Sequence, residues 1–241
     1  MITVSVTDGV GLIELDRQER RNALDVEHCR RLAEAVPEVV ADGARAIVVT
    51  GAGTSFCSGA DFGQVYGEGF RTALYTALQA VMDAPVPVVA AVNGPAIGAG
   101  TQLAIAADLR VGAPTAVFGV PTARIGLAVD PWTIRRLEQL AGGGTARSLL
   151  LACEQIGVEQ AYARGLVDRL GDRDAALALA ADLATMAPLT LRYNKLVLNR
   201  ADLPNGDPEL LAAFEACWNS EDLQEGQRAR AEKRAPVFTG R

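Results

Sequence analysis

Two glycine-rich turns and three polar side chains hold most of the chemistry available to this chain. The turns are GAGTSFCSGADF (Gly51–Phe62) and NGPAIGAGTQ (Asn93–Gln102), the second running straight into a helical stretch. Glycine lets backbone approach a ligand closely, and a helix start carries unpaired N–H groups at its positive dipole end. Two such turns that converge can aim two N–H groups at one oxygen, the geometry of an oxyanion hole. Each turn also has a purely structural reading. Neither is a phosphate loop, because no Gly-Lys-Ser/Thr follows, and neither is a GxGxxG fingerprint. The side chains are Gln102, Thr122 and Asp130. A neutral amide orients water but cannot take its proton near neutral pH, and a threonine hydroxyl does no better, whereas an aspartate can serve as base or nucleophile. Asp130 stands before Pro131-Trp132 and therefore also reads as a plain helix N-cap. Asp61 reads as a helix cap or loop brace.

The remaining reactive types narrow the field. The cysteines Cys29, Cys57, Cys153 and Cys217 form no CxxC and no metal-ligand spacing, so they read as packed thiols in a reducing, cytoplasmic setting. The single histidine, His28, cannot build a histidine metal site and reads as a surface residue of the charged run EHCRR. No metal and no tightly held cofactor is expected. The net charge of −6 excludes the basic face that a nucleic-acid partner needs. MITVSVTDG lacks the basic and apolar regions of a signal peptide, and no apolar run reaches the ~20 residues of a membrane span. A soluble protein follows.

These residues need a scaffold of strands and helices. Ile2–Thr7 and Gly11–Leu15 alternate like paired strands about an Asp8-Gly9 turn. Asp25 opens a helix in which Leu32, Val36, Val39 and Val40 share a face, with Pro37 as a possible kink. RAIVVT (Arg45–Thr50) and Val86–Val92 read as strands covered on both faces. A helix near Gly69–Met82 repeats Leu74, Leu78 and Met82. Helix and strand alternate through Gly98–Ala106, Leu109–Val111 and Ala116–Phe118. From Pro131 the pattern is almost wholly helical, with a break at Ala187-Pro188 and a loop at Pro204–Pro208. The fold class is α/β, a sheet-rich core over 1–187 with a helical region over 188–241.

Four signatures, in order over nearly the whole chain, sharpen this reading. They are Asn22-Ala23-Leu24 after Arg17 and Glu19; Phe56 to Phe62 (FCSGADF); Asn93 to Arg110; and Glu225-Gly226 through Gly240. Together they resemble the crotonase superfamily, the enoyl-CoA hydratase/isomerase family. PAIGAGTQLA and GLAVDPWTIRRL resemble most closely an actinobacterial subgroup that lacks hydratase activity and binds acyl-CoA, including a mycobacterial acyl-CoA carrier of mycolic-acid synthesis.

The resemblance implies a spiral of ββα units with a C-terminal helical trimerisation layer, assembled as a homotrimer or homohexamer. It implies a coenzyme A thioester as ligand, with oxyanion N–H donors at Ala60 and Ala99. It places adenine near Arg20, Arg21 and Ala23, and pantetheine near Gly59 to Asp61. Phe214 and Lys233 are to reach the nucleotide from a neighbouring subunit, although surface salt bridging is an equal reading for Lys233. Trp132, with Leu74, Leu78 and Met82, reads either as acyl-tunnel lining or as core. In the family two glutamates activate the water, and here those positions are Gln102 and Thr122. Three functions follow: an acyl-CoA binder or carrier of lipid metabolism without standard hydratase activity; an enzyme using Asp130 for isomerisation or another enolate reaction; or a genuine enoyl-CoA hydratase.

Overall fold

The computed structural model describes every residue except 62, 64–67, 201–202 and 205, so the Phe62 end of the first glycine-rich turn lies outside the described residues. A hairpin of β1 (Ile2–Thr7) and β2 (Val10–Leu15) starts the chain, with Asp8 and Gly9 both at positive φ (49° and 76°) as a two-residue turn demands. β2 then pairs in parallel with β3 (Ala46–Gly51), β3 with β4 (Val88–Val92), β4 with β6 (Leu109–Gly112), and β6 with the short edge strand β9 (Arg169–Leu170). A second sheet holds β5 (Pro95–Ile97), β7 (Val117–Gly119) and β8 (Gln155–Gly157).

Every residue of β3 and β4 is buried, because helices cover both faces. On one face Ile47, Val49, Val88 and Ala90 meet α1 (Val26–Ala41) and α2 (Glu68–Met82). On the other, Val48, Val89 and Ala91 meet Ala176, Leu179 and Leu183 of α6 (Arg173–Ala184). Each fully buried Val or Leu contributes roughly 1.5–3 kcal/mol, which makes these two layers the main stabilising term.

The Asp25 carboxylate caps α1 by accepting from the His28 N–H at 2.9 Å. Pro37 does not break this helix, which runs on to Ala41; α4 (Pro131–Leu150) instead breaks at Gly142, at φ 76° and ψ 157°. The stretch after Pro131 is less helical than its pattern suggests, since it contains β8 and β9. Strands of three and two residues are too short to alternate, and only pairing with β7 and β6 creates them. His28 is also no free surface residue: its Nδ1 lies 2.7 Å from Asp25 Oδ1, because the cap brings the ring back over the carboxylate.

Past Ala184 come α7 (Pro188–Asn199), α8 (Pro208–Trp218) and α9 (Glu221–Glu232). The buried Lys195 pins α7 to the core, donating to the Val81 and Val86 carbonyls and pairing with Asp108 at 2.8 Å. Asp108 and Arg110, both from the long glycine-rich signature, are thus structural. Arg110 is 1 % exposed and its guanidinium is consumed by the Leu166, Ala107 and Asp108 carbonyls and by Asp168. Among the described residues no single helix is long and apolar enough to cross a membrane.

Candidate functional site

The two glycine-rich turns run side by side. Cys57 bridges Ala96 in parallel, with the Cys57 N–H donating to Pro95 and the Ile97 N–H to Cys57, each at 3.0 Å. Ala60 and Ala99 each lie three residues beyond that bridge. Each follows a glycine in a conformation L residues avoid, Gly59 at φ 113° and Gly98 at φ 55°. Paired chains that turn at equivalent places bring their next residues to the same spot. That spot is a cleft of about 460 Å³, lined by both alanines, by Phe70, Arg71, Leu74 and Tyr75 of α2, and by Gln102, Pro121, Thr122 and the segment from Ile125 to Val129.

Two backbone N–H groups are left over here. Ala60 bridges Leu24, but the bonds run from Leu24 N–H to Gly59 and from Asp61 N–H to Leu24 (2.8 and 2.7 Å). In a parallel bridge this turns the N–H of Ala60 away from its partner. Ala99 is the first residue of α3 (Ala99–Ala106), where helix geometry supplies no acceptor, and its φ is not positive. Among the described residues neither N–H has a protein partner.

Arg17 braces the first turn. Its guanidinium contacts Asp25 at 3.2 Å, Asp61 at 3.0 Å and the Ala23 carbonyl at 3.2 Å. Asp61 is accordingly a loop brace, accepting also from the Gly63 N–H, and these contacts hold its carboxyl below the usual range. Arg20 and Arg21 are exposed, but their carbonyls accept from Ser58, which lines the cleft. Ala23 is buried beside them.

On the opposite wall, Gln102 is 4 % exposed and its Nε2 donates to Thr133 Oγ1 at 2.8 Å and to Asp130 Oδ2 at 3.3 Å. Asp130 caps α4: Oδ1 accepts from the Thr133 N–H at 3.0 Å and Oδ2 from the Thr133 hydroxyl at 2.7 Å. Both carboxylate oxygens are occupied, and Asp130 stands behind the lining rather than in it. Thr122 does line the cleft, in a single 3-10 turn (Pro121–Ile125). Among the described residues no Asp or Glu lines the cleft, and no group of His, Cys, Asp and Glu can hold a metal.

Tyr75 is the functional-looking residue that the sequence reading missed. Burial and then the Asp130 charge push its phenol above the usual value, against smaller opposing effects of Arg71 and of a hydrogen bond with the Asp130 backbone, so it stays protonated at neutral pH. Its spacing from Arg71, Leu74 and Leu78 places it on their helix face, a signal that was present in the sequence. Of the proposed tunnel residues, Leu74 lines the cleft, while Leu78 is buried in the core and the half-buried Met82 and Trp132 pack against it. Burial pushes both the Cys29 and Cys57 thiols up to about 12, as inert packed thiols require.

Phe214 and Lys233 do not reach this cleft within the chain. Phe214 stacks obliquely on Tyr193 and Trp218 (centroids 5.6 and 6.0 Å) in a separate groove of about 500 Å³ between α7, α8 and α9. Lys233 ends α9 in a left-handed conformation, exposed to solvent.

A mostly parallel sheet between helical layers, with two adjoining turns that bare main-chain donors into a cleft, defines an α/β protein with a formed pocket. Comparison with known proteins makes this specific. The family model for enoyl-CoA hydratase/isomerase matches residues 5–241. A Mycobacterium tuberculosis protein named probable enoyl-CoA hydratase echA6 is 44 % identical over 242 residues, covering all of both chains. A putative enoyl-CoA hydratase of Thermus thermophilus is 37 % identical over 95 % of this chain and 97 % of its own. The solved enoyl-CoA hydratase/carnithine racemase of Magnetospirillum magneticum superposes with a TM-score of 0.91 at 31 % identity, over 100 % of this chain and 96 % of that one. The chain belongs to the enoyl-CoA hydratase/isomerase family and has the crotonase fold.

Proposed function

We propose that this protein binds fatty acyl-CoA or enoyl-CoA thioesters through the Ala60 and Ala99 N–H groups, without standard hydratase chemistry, and serves as an acyl-CoA carrier in lipid metabolism. The observation that carries this reading is the absence of a carboxylate among the described residues lining the cleft. Hydration needs a group that takes a proton from water and one that delivers a proton to carbon. Gln102 and Thr122 do neither, and each lost acid or base costs ~10²–10⁴ in rate. The two main-chain donors are suited to gripping a thioester carbonyl whether or not it reacts. Relatives carry hydratase names, so turnover is the decisive measurement.

The reading in which Asp130 drives an enolate reaction is weaker, because its carboxylate is spent on Thr133 and Gln102. In the proposed complex, adenine lies by Arg20, Arg21 and Ala23 and pantetheine by Gly59 to Asp61. Phe214 and Lys233 of a neighbouring copy approach the nucleotide in a trimer or hexamer. Exposed Leu211, Trp218 and Val237 support burial of the C-terminal helices in such an assembly.

The test offers purified protein crotonyl-CoA and longer enoyl-CoAs, following loss of the enoyl absorbance, with acyl-CoA affinity by calorimetry and mass by light scattering. Micromolar binding with turnover at least ~10⁴-fold below a two-glutamate hydratase is expected. Robust hydration refutes the reading.

A further inference from the structure

The hydrogen-bond chain behind the cleft wall fixes which atom of Gln102 a ligand meets. Thr133 has one hydroxyl hydrogen, and it is directed at Asp130 Oδ2 at 2.7 Å. Toward Gln102 the hydroxyl can therefore only accept, and the Asp130 carboxylate accepts as well. Both groups facing the amide are acceptors, so the amide must present Nε2 to them, as it does at 2.8 and 3.3 Å. Its Oε1 is left without a protein donor among the described residues, and it is not one of the sealed orphan atoms, unlike Asn93 Oδ1. The open side of Gln102 is the cleft.

Gln102 follows Ala99 by three residues on α3, which puts it on the same helix face about 4.5 Å further along the axis. For a thioester whose oxygen meets the Ala99 N–H and whose chain follows α3, the third carbon is the one that comes beside Gln102 Oε1. The hydroxyls of Ser58 and Thr122 also line the cleft, but each can turn to donate or accept and so selects nothing. Tyr75 is engaged by the Asp130 backbone, and the Arg71 guanidinium, which only donates, is the same in every variant compared below. The Gln102 oxygen can only accept.

Resting on the thioester reading above, we propose that Asp130 and Thr133 are positioning residues that lock the Gln102 amide with its oxygen toward the cleft. The site then selects thioesters with a hydroxyl on the third carbon over those with a second carbonyl there. A hydroxyl donates to Oε1; a ketone sets two acceptors against each other. One neutral hydrogen bond made or opposed corresponds to about a tenfold difference in affinity.

Asp130→Asn tests the lock itself. An asparagine still caps α4 through its oxygen, but its amide now donates to the Thr133 hydroxyl. That hydroxyl must then donate onward, so the Gln102 amide turns over and offers its nitrogen to the cleft. Calorimetry of the full chain with decanoyl-CoA, 3-hydroxydecanoyl-CoA and 3-oxodecanoyl-CoA gives the ratios. The wild type is expected to favour the 3-hydroxy over the 3-oxo ligand about tenfold, and Asp130→Asn to abolish or reverse that order. Gln102→Leu, which keeps the wall apolar, brings the ratio to about one and serves if Asp130→Asn fails to fold. Equal wild-type affinities for the two, with decanoyl-CoA bound, overturn this proposal alone. A preference that survives in folded Asp130→Asn also overturns it. Failure of the wild type to bind decanoyl-CoA overturns the thioester reading and this proposal with it.

Discussion

Gly100 lies so close to Cys57 that a Cβ on it would stand 2.1 Å from the Cys57 carbonyl oxygen. The two turns that bare their N–H groups are thus pressed together where a side chain would separate them. Gly100→Ala is expected to cost about 3 kcal/mol or more of stability, because backbone must move, and to weaken acyl-CoA binding at least ~10-fold, a loss of one hydrogen bond or more. Gly144→Ala is the control: it has open space around it and sits in α4, so a gain of up to about 1 kcal/mol is expected. Denaturant titration and calorimetry distinguish the two.

Arg17 holds Asp25, at the start of α1, and Asp61, beside the first turn, with one guanidinium. Arg17→Met should lower stability by about 1–2 kcal/mol, since these partly buried pairs also satisfy the Ala23 carbonyl. Arg17→Lys should recover little of it, because one ammonium cannot span both carboxylates. If Lys restores wild-type melting, the two-ended brace is wrong.

Near the C-terminus, Glu225 accepts from Arg234 and from the Val237 N–H, and these contacts pull its carboxyl from 4.5 to about 2. A carboxyl with a depressed folded-state value stabilises above its unfolded value and loses that contribution as it takes up a proton. The melting difference between wild type and Glu225→Gln should therefore be full above pH 4.5 and fade as the pH falls toward 2. A difference constant across that window contradicts the assignment.

Restoring glutamates should have a pH signature of its own. In Gln102→Glu the new carboxyl meets the Asp130 carboxylate where an amide now donates at 3.3 Å. Like charges raise the affinity for a proton, so this variant should lose stability as the pH rises from about 5 to 8, as a group with a raised folded-state value must. Adding Asp130→Asn should flatten that loss. Gln102→Glu with Thr122→Glu should bring measurable hydration of crotonyl-CoA, and more so in the Asp130→Asn background. No hydration in the triple variant would mean that the cleft lacks more than its proton carriers.

The sequence disclosed what repeats or punctuates. The Asp8-Gly9 turn, the Asp25 cap and the unbroken apolar runs of β3 and β4 each have a local cause and were read to within two residues of their bounds. β8 and β9 have none; they exist because β7 and β6 offer free edges. The cleft was legible in the same uneven way. The glycine-rich turns read as places where main chain could meet a ligand, and only the family resemblance singled out Ala60 and Ala99; no local pattern says that Thr133 lies between Asp130 and Gln102, since that link joins α3 to α4 across thirty-one residues. Tyr75 was hidden for another reason: a half-buried tyrosine among leucines looks like core until the opposite wall is in place.

In the proposed complex the two donors of the cleft are main-chain atoms, and that separates grip from reactivity in heredity. A point mutation can erase an acid by changing one side chain, yet every amino acid except proline keeps the N–H at positions 60 and 99. A lineage on this scaffold can therefore shed its reaction in two substitutions while its hold on the ligand passes down untouched.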